Sequence, residues 1–276
     1  MKKILVVTTA LLVFVSCKKE NPENENLDKQ GKIQLPAEIE AGENTGKYNT
    51  FYGPAVKMGK GFARSWINIT HDNKPIAIGI EMTKGALQHD AHTDGNHNHT
   101  NAHDIPLHQK AKALTPFDHI GANWSAAGHP PPGIYTVPHF DLHFYMMTME
   151  ERLRIPSYPE ATAAFDLNPP EGYLPGGYVK SPAGEAKMGA HWMDVTSHEF
   201  QGQPFTHTFV FGSYNGKVNF YEPMVTLATL QSGASIQKAI RQPQHFNPQN
   251  TYYPTGYSIW KSGERHYVAL YGMMWR

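Results

Sequence analysis

The chain has 276 residues, 40% of them apolar and 17% charged, with 24 basic side chains against 24 acidic ones. That balance excludes a disordered polyelectrolyte and lacks the basic footprint of a duplex-binding protein, so no nucleic-acid partner is expected. The single cysteine excludes an intramolecular disulfide framework, and 24 glycines, 21 prolines, 14 tyrosines and 13 phenylalanines favour strands and turns over long helices.

Residues 1–16 read as a signal peptide: Lys2 and Lys3 lead an apolar run over 4–15, which is too short for the roughly 20 residues of a membrane span. The end of the segment, Val15-Ser16-Cys17, resembles a bacterial lipobox, which implies cleavage before Cys17 and acylation of its thiol. Cys17 is the only cysteine and stands where a lipoprotein needs one. The expected partner is therefore a lipid bilayer, since several acyl chains at about 0.8 kcal/mol per buried CH₂ anchor firmly. Residues 17–46, rich in Asn, Glu and Lys, read as a solvated tether reaching about 30 Å as a flexible coil. The acidic, Asn-rich start of this stretch resembles the tethers of outer-membrane lipoproteins and places the chain in the bacterial cell envelope.

Residues 47–276 read as one β-rich domain. The runs 59–70 and 75–82 make a hairpin across His71-Asp72-Asn73-Lys74. Residues 88–109 carry His89, His92, His97, His99, His103 and His108 among Asp, Asn, Gly and Thr, with no hydrophobic period, and read as an exposed loop. Imidazoles there are candidates for loose metal binding. After the rigid turn at 130–133, residues 134–147 read as a strand, because Phe140, Leu142, Phe144 and Met146 alternate with His139, Asp141, His143 and Tyr145. Thr148 opens a short helix through a capping box with Glu151. The runs 205–211 and 218–225 flank Asn215-Gly216, which suits a type I′ turn. A last hairpin spans 252–260 and 266–275. Successive hairpins without long helices predict an all-β fold, an antiparallel barrel or barrel-like sandwich with short helices and long loops.

The strand over 139–145 carries the sharpest chemical signal. One face is apolar, and the other offers His, Asp, His and Tyr, with His and Asp the ligand types of a divalent metal. Residues two apart on a strand lie about 7 Å apart, so one ion takes His139 with Asp141 or Asp141 with His143, while His139 and His143 stand too far apart to share it. Two distant residues are candidates to complete the shell. His191 follows a glycine beside Trp192, and Glu222 alternates with Val218 and Phe220 on a face that reads as buried, where a carboxylate needs a partner. A salt bridge to Arg152 or Arg265 is the competing account of Glu222. His119 and His129, just upstream, reach towards the same mouth, and the Tyr145 hydroxyl is a potential donor to a ligand.

The block over 128–147, GHPPPGIYTVPHFDLHFYMM, resembles the signature of an uncharacterised bacterial family of unknown function, and Met188-Gly-Ala-His-Trp192 and Phe220-Tyr-Glu-Pro-Met224 resemble its later blocks. The resemblance covers about 46–276. It implies an exported, barrel-like all-β protein that forms a homo-oligomer, with the polar positions His139, Asp141, His143, His191 and Glu222. The histidine-rich stretch departs from the pattern as an insertion. An i, i+2 ligand pair on a barrel strand also resembles the cupin superfamily, by analogy alone. The expected function is divalent-metal binding (Zn, Fe or Mn) by an envelope lipoprotein. The alternatives are a metal-dependent hydrolase or cupin-like oxygenase, and a structural oligomeric lipoprotein whose polar strand face is a hydrogen-bond network. No nucleophile elbow, dinucleotide-binding glycine motif, Walker loop or H-E-x-x-H sequence points to a particular reaction.

Overall fold

A computed structural model describes residues 31–37, 39, 47–89 and 102–276. The signal peptide, Cys17, most of the tether, and His92, His97 and His99 lie outside them. Two seven-stranded antiparallel sheets face each other. The first is ordered β1 (Tyr48–Tyr52), β3 (Gly61–Thr70), β4 (Pro75–Thr83), β15 (Arg265–Tyr271), β14 (Gly256–Ser262), β12 (Ile236–Ala239), with β2 (Val56–Met58) also pairing β3. The second is ordered β5 (Ala102–Pro106), β6 (His119–Ser125), β7 (His139–Tyr145), β11 (Lys217–Thr226), β10 (His207–Tyr214), β9 (Gly189–Asp194), β8 (Tyr178–Glu185). A third, two-stranded sheet pairs β13 (Tyr252–Tyr253) with β16 (Met274–Trp275), and neither large sheet closes on itself among the described residues, so the layout is a sandwich and not a barrel.

Alternation explains the layering. Ile67, Ile78, Ile80, Val268 and Leu270 of the first sheet pack against Phe140, Leu142, Phe144, Phe211 and Tyr221 of the second in one buried cluster. The opposite face of the first sheet is also covered. Trp66, Trp260 and Tyr267 pack there with Ile33, Leu35 and Ile39, so part of the stretch read as a tether belongs to the folded body. That layer also holds an ion pair, Arg64 Nε to Glu81 Oε2 at 2.7 Å, with the Tyr267 hydroxyl donating to Glu81 Oε1 at 3.2 Å.

The hairpins fall as the turn chemistry requires. Asn215 and Gly216 have φ of 49° and 76°, the two positive values of a type I′ turn, between β10 and β11. Thr148 and Glu151 form the reciprocal capping box of the helix Met149–Leu153. Two stretches differ from expectation. The loop read over 88–109 contains β5, which pairs with β6 in the register His103↔Ala122, and Gln109 opens a helix, Gln109–Leu114. Pairing there uses backbone groups that no side-chain period reveals, and Ile105 is the fully buried apolar contact. The run read as a strand from 134 begins only at His139. Pro138 has no N–H for a ladder, and residues 134–138 cross the outer face of the second sheet, burying Tyr135 with Phe205, Val210 and Met224.

Candidate metal centre

The polar face of β7 is the outer face of the second sheet, and it is buried: His139, Asp141, His143 and Tyr145 are each no more than 5% exposed. Loop residues close over it, so the sheet is apolar towards its partner sheet and polar beneath its cover. The five sequence-predicted ligands lie on this face, but they divide into two groups. His139 and Asp141 join His129, while His143 joins His191 and Glu222. In each group one ligand atom per residue lies within 4.8 Å of the others, and each group could hold a metal ion.

The first group is built by β7 and the loop before it. His129 N donates to the Tyr135 carbonyl at 3.1 Å, closing a tight turn after Gly128. Gly128 has φ of +73°, and a Cβ there would meet the Tyr135 carbonyl oxygen at 2.0 Å, so the turn that presents His129 requires glycine. The Nδ1 of His129 lies 2.7 Å from the Pro130 carbonyl, and that of His139 lies 2.6 Å from the Val137 carbonyl. A carbonyl only accepts, so both Nδ1 atoms carry the proton and donate it. In the neutral tautomer each Nε2 is then left with a lone pair. This is the second-shell arrangement that orients metal-bound histidines. The Nε2 atoms approach one carboxylate: His139 Nε2 is 3.0 Å from Asp141 Oδ1, and His129 Nε2 is 3.5 Å from Asp141 Oδ2. The Ser125 hydroxyl donates to Asp141 Oδ2 at 3.1 Å.

His139 Nε2 and Asp141 Oδ1 are both buried and in close contact, and the contact requires a positive charge, either a proton on the imidazole or a metal ion. With a neutral imidazole of this tautomer the two atoms would face each other with lone pairs, so either an added proton or a metal ion belongs between them. Ligand atoms held about 2.0–2.2 Å from a zinc-sized ion stand roughly 3–3.5 Å apart, which matches the spacing here. The charge balance keeps the carboxylate ionised, and in the absence of metal a proton on an imidazole supplies the balancing charge. Burial works against ionisation of Asp141, but the imidazoles of His139 and His129 hold its carboxyl well below the usual range. Burial likewise opposes a charged His129, and the Asp141 carboxylate outweighs it and raises the pKa.

The second group spans three strands. His143 of β7 and Glu222 of β11 approach to 3.3 Å, and His191 of β9 reaches Glu222 Oε2 at 3.7 Å. His191 reaches past β10 at Gly212, its register partner, which leaves the intervening position without a side chain. The ring of Phe220 lies over Gly212 and touches the imidazoles of both His143 and His191, with centroids 4.8 and 5.1 Å away. His143 Nε2 faces Glu222 Oε1 while its ring also meets the Gly121 backbone, and Glu222 Oε2 is left without a hydrogen bond. Burial pushes His143 down to about 4, and burial together with the Asp141 charge raises Glu222 well above the carboxylate range. Without a cation, burial disfavours charge on both groups. A bound cation reverses that preference.

The salt-bridge account of Glu222 does not hold. Arg152 pairs with Asp104 at 2.7 Å, and Arg265 approaches Glu81 at 3.8 Å. Tyr145 offers its hydroxyl to the Lys187 carbonyl at 3.5 Å, while its ring stacks on both His119 and His143. His119 pairs with Asp118 and stays outside both groups. Of the histidine-rich stretch, His89 stacks on Trp124, with its ring 6.0 Å from that of His103, and His108 Nδ1 accepts from Lys110 N at a helix start. None of these three belongs to a three-ligand group among the described residues. Sequence reasoning placed His129 near the mouth without making it a ligand. It gave no sign of Ser125, which faces His139 only through the β6–β7 register. Compared with family models, curated proteins and solved structures, the chain matches none.

Proposed function

We propose that this protein binds divalent transition-metal ions, one at His129–His139–Asp141 and one at His143–His191–Glu222. The observation that carries the reading is the clustering of three ligand atoms within 4.8 Å of one another in each group, with the Nδ1 of His139 and of His129 anchored on a carbonyl so that Nε2 faces Asp141. Imidazole with carboxylate and no thiolate suits Zn, Fe or Mn. The N-terminal lipobox-like motif supports an envelope protein held on a bilayer through Cys17.

A second reading, a metal-dependent hydrolase or oxygenase, is favoured by the ligand count. Three protein ligands leave coordination positions open, as in catalytic zinc and non-haem iron sites. One histidine of each group also remains partly accessible, with side-chain exposures of 22% for His129 and 21% for His191. An ion bound there would supply Lewis acidity to a water or small substrate. The chain's own part would be to hold the ion and exclude bulk water.

Elemental analysis of the full chain, loaded with zinc and freed of excess ion, tests the proposal. We expect one equivalent per group, with one lost in His139→Ala and the other in His191→Ala. Deletion of 90–101 leaves both in place. A folded wild-type chain that retains no ion overturns the reading.

A further inference from the structure

A cavity of about 240 Å³ lies at one end of the sandwich, and no residue of either metal group lines it. Its floor is Tyr221 and Tyr253, and its walls include Tyr173, Phe246 and Val218, with Lys217 at the rim. The walls are tied together before any ligand arrives. The backbone N–H groups of Gln244 and His245 both donate to the Gly172 carbonyl, at 2.8 and 2.9 Å. A Cβ on Gly172, whose φ is +86°, would meet the His245 ring at 2.6 Å, so the two loops approach as closely as glycine allows. The Phe246 and Tyr253 rings lie 4.7 Å apart at 54°, and Tyr173 and His245 lie 5.5 Å apart at 50°. Each pair is in contact, so the walls are packed aromatic rings that offer apolar faces and edges to a flat ligand ring in the cavity.

The charge of the slot is one-sided. No aspartate or glutamate lines it, whereas Lys217 is exposed on the β10–β11 turn and forms no ion pair among the described residues. The volume lies below the roughly 300–1,000 Å³ of drug-sized sites and suits a molecule of one or two rings. We infer that this cavity binds a small aromatic carboxylate, its ring against the walls lined by Tyr173, Phe246 and Tyr253 and its carboxylate on Lys217.

The test titrates the full chain with 2-naphthoate and with its neutral counterpart 2-naphthalenemethanol, read by calorimetry and by ligand-observed NMR. Saturable binding of both is expected, with the carboxylate about five-fold tighter, as a partly exposed ion pair allows. Lys217→Met, on an exposed turn, removes the preference and leaves binding of the alcohol unchanged. Val218→Trp fills the slot and removes both, with circular dichroism confirming the fold. The inference is overturned if neither probe saturates, if the wild-type chain binds both equally, or if the preference survives Lys217→Met. None of these outcomes depends on metal.

Discussion

Single residues on the outer face of the second sheet are held by contacts that sequence spacing shows only in part. The alternation over 139–145 made His139, Asp141 and His143 visible as ligand types, and the 7 Å strand spacing already separated His139 from His143. What spacing could not show is that loop residues bury this face, because Tyr135, Phe200 and Phe205 come from chain segments whose own pattern says nothing of where they pack. On the inner side of β10, His207 points at the first sheet, where its Nδ1 lies 2.9 Å from the Tyr257 hydroxyl and burial pushes its pKa down to about 4. A histidine with a folded pKa below its unfolded value, about 6.5, keeps its full stabilisation above pH 6.5 and loses it as the pH falls towards 4. Urea denaturation between pH 7 and pH 4.5 is therefore expected to show a loss that His207→Gln reduces by on the order of 2–3 kcal/mol. Equal slopes in both proteins would refute the assignment.

At the scale of elements, the second metal group depends on a missing side chain. His191 meets Glu222 because Gly212 leaves its place on β10 to the Phe220 ring, and a Cβ at Gly212 would stand 2.0 Å from that ring. Phe220 is fully buried between two ligand imidazoles and cannot yield without moving them. Gly212→Ala is expected to lower stability by about 1–3 kcal/mol and to release the ion of His143–His191–Glu222. The ion of His129–His139–Asp141 stays, as metal content and urea midpoints measured together would show. The hairpin supplying these strands was readable from Asn215-Gly216, whereas β5 was not. Its residues, Ala, His, Asp, Ile and Pro, carry no period and pair through backbone groups alone.

For the whole molecule, sandwich and barrel could not be told apart from a succession of hairpins, because closure depends on which edge strands meet. The N-terminal boundary was misplaced for a similar reason. The polar composition of 17–46 outweighed three apolar side chains, Ile33, Leu35 and Ile39, each 6% exposed or less. A chain starting at residue 47 is expected to be less stable than one starting at 31 and to expose Trp66, Trp260 and Tyr267. Its urea midpoint should fall and its dye-binding hydrophobic surface should rise. Unchanged values in both measurements would mean that the segment contributes nothing to the fold.

That docked segment also changes how close the domain stands to whatever holds its N-terminus. With an acyl anchor at Cys17, as the lipobox-like motif leads one to expect, sixteen residues separate the lipid from Ile33. Even fully extended, at about 3.5 Å per residue, they span no more than roughly 55 Å, against roughly 100 Å for an attachment at residue 46. The outer face of the first sheet, where Ile33 docks, would then stand nearer the bilayer than the outer face of the second sheet, which carries the two histidine–carboxylate groups.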